Sequence, residues 1–193
     1  GRNLIEPIEQ YGVKMLSIGF FVDPQQAVVW RGGMASNAIK QLILDANWGE
    51  LDYFLIDLPP GTSDIHLSLV QHLQLTGAIV VTTPQPVALV DARKGVDMFQ
   101  NEKINVPVLG LVENMAWFTP EELPNNRYYL FGRGGAERYA HEAGIDLLGQ
   151  VPIIQSIMDG GENGCPAGNI DSRVSEYYAD IAEKIVEKLP VDC

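Results

Sequence analysis

Apolar positions fall into two kinds of block that take turns along the chain. The first kind is a short continuous run: Val13–Val22, Phe54–Ile56, Gly77–Pro84, Val106–Met115 and Ile145–Ile153. Such runs lack strict alternation and read as strands buried on both faces, as in a parallel sheet. The second kind repeats at helical spacing. Ile39, Leu42, Ile43 and Ala46 share a face behind Ser36 as cap, over about Ser36–Ala46. Ile65, Leu69, Val70 and Leu73 follow Ser63, another cap candidate. Ala88, Ala92, Val96 and Phe99 form a third stripe, and Gly134-Gly135 opens a helix through Tyr139, Ala140 and Ala143. Asp171 or Ser172 starts the last helix, with Val174, Tyr178, Ile181, Ile185 and Leu189 facing inward. Strand and helix blocks in turn predict βαβ units with right-handed crossovers. The expected fold is α/β, a doubly wound and mainly parallel sheet with helices on both faces, in a single domain over 1–193.

Residues 116–133 lose both periods. The stretch has two prolines, but Trp117, Phe118, Tyr128, Tyr129 and Phe131 oppose disorder. A loop of this length inside a compact domain reads as a packed flap or an interface. Gly160–Asn169 reads as a Gly-rich connection.

Composition alters this picture little. Hydrophobic content of 46% and charged content of 20% are ordinary for a globular chain. The balance of 13 basic against 25 acidic residues, a net charge of −12, argues against nucleic acid or an anionic membrane as main partner. No apolar run is long enough to span a bilayer. Cys165 and Cys193 are the only cysteines and make no disulfide framework, so the cytoplasm is the expected compartment.

The candidate chemistry gathers in Asp52–Thr62, DYFLIDLPPGT. Asp57 closes an apolar run that prolines and Gly61 then stop. An acid at the carboxyl end of a parallel strand lies where open α/β sheets bind ligands. There it would order a hydrated cation, while the Gly61 amide approaches a phosphate; a strand-ending Asp in a tight turn is the plainer alternative. Thr62 and Ser63 offer hydroxyls to phosphate or magnesium, and capping explains Ser63 equally. Arg31, in the turn Arg31-Gly32-Gly33, suits a phosphate or a partner's carboxylate, or a solvated surface. Asn114 carries a donor and an acceptor that suit a base edge, or else caps a turn. His66 and His72 do not share a helix face and read as structural or exposed.

The segments DYFLIDLPPGTSDIHLSLVQ, TTPQPVALVDARKGVDMF, GLVENM and FGRGG before LLGQVP resemble the Mrp/ApbC-type iron–sulfur cluster carrier ATPases. These are dimeric P-loop ATPases of the MinD/ParA class. The resemblance runs from about Leu4 to Pro152. It implies that Asp57 is the acid holding the magnesium shell and Gly61 the switch glycine near the γ-phosphate, with Thr62 beside it. It further implies that Asn114 reads adenine, that Val151-Pro152 packs over the base, and that Arg31 lies in a turn usually written Arg-Gly-Pro. ATP and Mg²⁺ are the implied cofactors, and a homodimer that passes an iron–sulfur cluster to acceptor proteins is the implied assembly.

Two departures qualify the resemblance. The family's GKGGVGKST-like phosphate loop does not occur in the 193 residues, so the sheet is expected to be incomplete on its N-terminal side and the chain alone to be inactive as an ATPase. The family's Cys-x-x-Cys pair, due between ENM and FG-x-GG, is also missing, so no iron–sulfur ligand is identified. The leading expectation is an ATP-hydrolysing iron–sulfur carrier. The alternative is a nucleotide-switched interaction protein without metal cargo, docking through the aromatic flap.

Overall fold

The computed structural model describes residues 4–21, 33–58, 61–62 and 64–191, and it divides into two compact units, 1–74 and 75–193.

In the first unit, β1 (Ile8–Gln10) and β2 (Val13–Met15) form a small antiparallel ladder around Tyr11-Gly12. A 3₁₀ turn, Ile18–Phe21, follows. Gly19 and the residues beside it thus end the expected Val13–Val22 strand after three residues, and Val22 lies outside the described residues. Helix α1 spans Gly33–Leu44, so Ser36 lies buried inside it and is not its cap. Helix α2 spans Asp64–His72, with Leu69 and Val70 buried as its stripe predicts; Ser63 lies outside the described residues. Trp48 holds the connection after α1. Its indole donates to the carbonyls of Leu42 and Ile43 at 3.2 Å, and its ring meets Phe54 edge-on at 4.8 Å.

The run Phe54–Ile56 belongs to no helix and pairs in no ladder among the described residues, and Leu55 is 83% exposed. This corrects the reading of a buried strand. An apolar run becomes a central strand only where neighbours supply hydrogen bonds at both edges, and periodicity carries no information about those neighbours.

The second unit holds a parallel three-stranded sheet in the order β3 (Ala78–Thr82), β4 (Val108–Phe118), β5 (Leu147–Ile153). Helix α3 (Pro86–Gln100) links β3 to β4, and α4 (Gly135–Ala143) precedes β5. Adjacent residues of β4 show how the layers stack. Val112 joins Leu148, Val151 and Ile181 in an apolar cluster against the last helix, α6 (Ser172–Lys188). Glu113 points the other way, to the start of α4. Helices therefore cover both faces, as expected for a doubly wound sheet. Each fully buried aliphatic side chain in this cluster contributes about 1.5–3 kcal/mol.

Three details differ from the periodicity. Helix α5 (Gln155–Glu162) occupies what reads as the edge of a Gly-rich connection. Its Gly160 is buried because the chain turns back on it: an added Cβ would meet the Cys165 carbonyl at 2.5 Å. In α6, Tyr177 rather than Tyr178 packs against the cluster; Tyr178 is exposed, while Tyr177 meets Trp117 edge-on at 6.1 Å. Strand β4 also runs three residues past its expected end, into the segment read as flap.

The Asp171 carboxylate caps α6. It accepts from the Arg173 amide at 3.0 Å and from the Ser156 hydroxyl at 2.8 Å, and it pairs with the Arg173 guanidinium at 3.0 Å. Hydrogen bonds from Arg173 first, then Ser156, hold its carboxyl down at about 2. Helices α3 and α4 are joined by Arg93, which pairs with Glu142 at 2.7 Å and lies 4.2 Å over the Tyr139 ring. Burial pushes the Tyr139 phenol above its ordinary value; Asp97 adds to this and Arg93 opposes it.

Candidate functional site

The first group of candidate residues lies in the first unit. Asp57 is exposed in the irregular 51–58 segment; beyond Leu58 and two undescribed residues come Gly61 and half-buried Thr62. Gly61 has φ +107°, a backbone conformation that L side chains rarely adopt, and helix α2 begins three residues later. His66, on the first turn of α2, is buried and would be 3.5 Å from a Cβ placed on Gly61. The segment therefore bears a carboxylate, a hydroxyl and a freely approachable amide within six residues of sequence. Oxygen donors of this kind suit a hard cation such as Mg²⁺, which binds through one or two carboxylates and keeps several waters. Arg31 lies outside the described residues.

The second group lies in the second unit, where β4 and β5 run side by side. Asn114 stands opposite Val151 in the register, one step after Glu113 stands opposite Gln150. The structure thus brings Asn114, Val151 and Pro152 together. Asn114 is half-buried, and its Oδ1 accepts the Met115 amide at 3.0 Å. Met115 itself has φ +56°, and the register shifts between Asn114 and Phe118. The local kink fixes which end of the Asn114 amide faces its own backbone. The Val151 side chain is committed to the α6 cluster at 2% exposure, and Pro152 is buried.

Glu113 carries no role in the sequence reading, yet it is the most constrained polar group of this region, at 1% exposure. Its carboxylate accepts the Ala136 amide at 2.8 Å and the Gln150 side-chain amide at 2.8 Å. Helix α4 has no cap of its own: Gly134 at the N-cap is left-handed, at φ +64°, and brings no side chain. Glu113 substitutes for that cap from the neighbouring strand. The signal was present in the sequence as a lone acid ending the apolar run VLGLVE. A buried charge needs partners, and a glycine-led helix start needs an acceptor.

The 116–133 stretch is packed at its root. Ala116 and Trp117 are buried in β4, and Phe118 and Tyr128 exchange backbone hydrogen bonds of 2.8 Å. The Arg127 guanidinium lies 4.2 Å over the Trp117 ring, and that of Arg133 lies 4.8 Å over Tyr129. Leu130 and Tyr128 remain exposed. Cys165 is half-buried in the loop after α5, and Cys193 lies outside the described residues. Among the described residues, no cluster of His, Cys, Asp and Glu is placed to hold a metal ion, and no helix is long and apolar enough to cross a membrane.

Comparison with known proteins places these features in a family. The ParA model, described as NUBPL iron-transfer P-loop NTPase, matches residues 1–186. An iron–sulfur cluster carrier protein of Synechocystis sp. is 44% identical over 188 residues, covering 96% of this chain and 53% of the relative. An Arabidopsis thaliana protein, the mitochondrial iron–sulfur protein required for NADH dehydrogenase, is 42% identical and covers 95% of this chain and 58% of its own length. The solved nucleotide-binding protein of Archaeoglobus fulgidus in complex with ADP superimposes with a TM-score of 0.71 at 33% identity, over 93% of this chain and 66% of that one. The chain spans about half the length of the curated relatives it matches. With an α/β sheet covered on both faces and a family match over nearly its whole length, this chain belongs to the ParA family of NUBPL-type iron-transfer P-loop NTPases.

Proposed function

We propose that this chain is the portion of an ATP-hydrolysing iron–sulfur cluster carrier that senses the γ-phosphate and reads the base. The observation that carries the reading is the alignment of Asn114 with Val151-Pro152 on adjacent parallel strands, in a chain whose solved relative was captured with ADP. Asn114 offers Nδ2 as donor and the second lone pair of Oδ1 as acceptor, the pair an adenine edge requires. Pro152 and the Val151 backbone pack against the base, since the Val151 side chain is spent on the core. Asp57 holds the water shell of Mg²⁺, which neutralises phosphate charge during transfer. The Gly61 amide and the Thr62 hydroxyl contact the γ-phosphate, and Arg31 contacts phosphate or a partner subunit. Two subunits enclose the nucleotide, and its state rearranges the dimer.

The 193 residues include no lysine-bearing glycine loop, so we assign turnover to the full-length protein and none to this chain alone. The cytoplasm remains the proposed compartment, although one relative is mitochondrial by name. The cluster is cargo, delivered to acceptor proteins.

One observation favours a second reading. The flap carries no cysteine, and its root is stapled by Trp117, Arg127 and Tyr177. On that reading the ATPase sets partner binding through the flap and carries no metal. Anaerobic iron and sulfide reconstitution of the full-length protein, read as iron per dimer, decides between them. A stoichiometric cluster supports carriage, and a protein that binds Mg-ATP but no iron supports the switch. Asp57→Ala is expected to abolish magnesium-dependent ATPase activity in either case; near-normal turnover would sink the role given to Asp57.

A further inference from the structure

We propose that Glu113 is a positioning residue for base recognition. Its buried carboxylate locks the strand ends that carry Asn114 and Val151-Pro152 to each other and to α4. The inference rests on the base-reading role proposed for Asn114.

Three observations converge on it. Glu113 is 1% exposed, and both of its hydrogen bonds come from neutral donors, Ala136 N–H and Gln150 Nε2–H, each at 2.8 Å. A carboxylate is held in such a place only when its partners are fixed, and it fixes them in return. The partners are well chosen for the base-reading residues. Gln150 immediately precedes Val151, and Glu113 immediately precedes Asn114, so one side-chain bond pins the register of both pairs. The register needs pinning, because β4 and β5 slip out of step on each side, between Leu111 and Val112 and again beyond Asn114. The other partner, Ala136, ties the strand to the start of α4. Helix α4 starts at Gly135, where an added Cβ would lie 2.7 Å from Leu89 Cδ1 and would collide with the Pro84 carbonyl. Glu113 supplies the acceptor that keeps the helix start in that tight place.

The chemistry of the carboxylate can be separated from its shape. In Glu113→Gln, the new Oε1 still accepts Ala136 N–H, while the new Nε2 donates to Gln150 once the Gln150 amide turns over. The conservative variant therefore preserves the lock. Glu113→Ala leaves both donors unmet, and Gln150→Ala cuts only the link between strands.

The test measures ATP and GTP dissociation constants of the full-length protein, with hydrogen exchange at the Ala136 amide as a second readout. Asn114→Ala is expected to reduce the preference for ATP by about tenfold. Glu113→Ala and Gln150→Ala are expected to reduce the same ratio by several-fold, with Ala136 exchanging faster only in Glu113→Ala. Glu113→Gln is expected to stay within about twofold of the parent in both readouts. If Glu113→Ala does not fold, Gln150→Ala decides. An unchanged ratio in Asn114→Ala overturns the base-reading role and the positioning role together. A reduced ratio in Asn114→Ala, with parent-like ratios in Gln150→Ala and in any folded Glu113→Ala, overturns the positioning role alone.

Discussion

The Glu113 carboxylate on β4 accepts the backbone amide of Ala136 on α4 across 23 residues of sequence, at 2.8 Å. A side chain of the sheet thus completes the first turn of a helix that has no cap of its own. Removing it strands one buried donor, at about 1–3 kcal/mol, and one half-buried donor, at less. Glu113→Ala is therefore expected to lose about 3 kcal/mol in urea unfolding, and Glu113→Gln about 1 kcal/mol. Equal losses in the two variants would show that the carboxylate's bonds do not matter to the fold.

Two glycines of the second unit should respond in opposite directions to the same substitution. Gly135→Ala forces a methyl into Leu89 and the Pro84 carbonyl, an overpacking expected to cost about 1–3 kcal/mol. Gly95, inside α3, has open space where its Cβ would go, so Gly95→Ala should stabilise by about 0.5–1 kcal/mol. Thermal melts of the two variants, read against the parent, check both signs.

Asp171 gives stability a defined acid limb. Its folded-state value, about 2, lies below the ordinary 3.8, because Arg173 and Ser156 bond its ionised form. Its contribution is accordingly complete above the ordinary value and fades as pH falls from there through about 2. Asp171→Asn should destabilise the chain at neutral pH and flatten the fall in stability below pH 3.8. Denaturant titrations at pH 7, 4 and 2.5 would show the two curves converging; parallel curves would contradict the assignment.

The flap should depend on Trp117 far more than on the cation above it. Trp117 is buried and touches both Tyr177 and Arg127, so Trp117→Ala is expected to cost about 3–5 kcal/mol. Arg127→Ala, which removes an exposed guanidinium, should cost about 0.5–1 kcal/mol. Limited proteolysis between Pro120 and Arg127 reports the same order. Faster cleavage in Arg127→Ala than in Trp117→Ala would reverse it.

Periodicity read the second unit well because that unit supplies its own neighbours. The runs at β3, β4 and β5 find one another, and the stripe Ala92, Val96 and Phe99 is buried on α3. It read the first unit poorly for the matching reason. Phe54–Ile56 has the apolarity of a central strand, and among the described residues nothing pairs with it. Helix α5 was hidden by its glycines, whose low helix propensity is outweighed by the close approach of Cys165 to Gly160. At the candidate site, the residue type pointed to Asn114 and the family resemblance to Val151, and the ladder sets them side by side. Glu113 was passed over because a capping acid normally sits next to its helix, whereas this one arrives from a strand.

That arrangement bears on the order in which the chain can assemble. Helix α4 has only nine residues and opens on glycine, too short and too weakly started to persist in water by itself. Its nucleus must wait until β4 has delivered an acceptor, and β4 is held between β3 and β5, the second of which lies downstream of the helix. The segment from β4 through α4 to β5 is therefore a single cooperative block. It should close late and open all at once, and truncation anywhere before the end of β5 would leave α4 a coil.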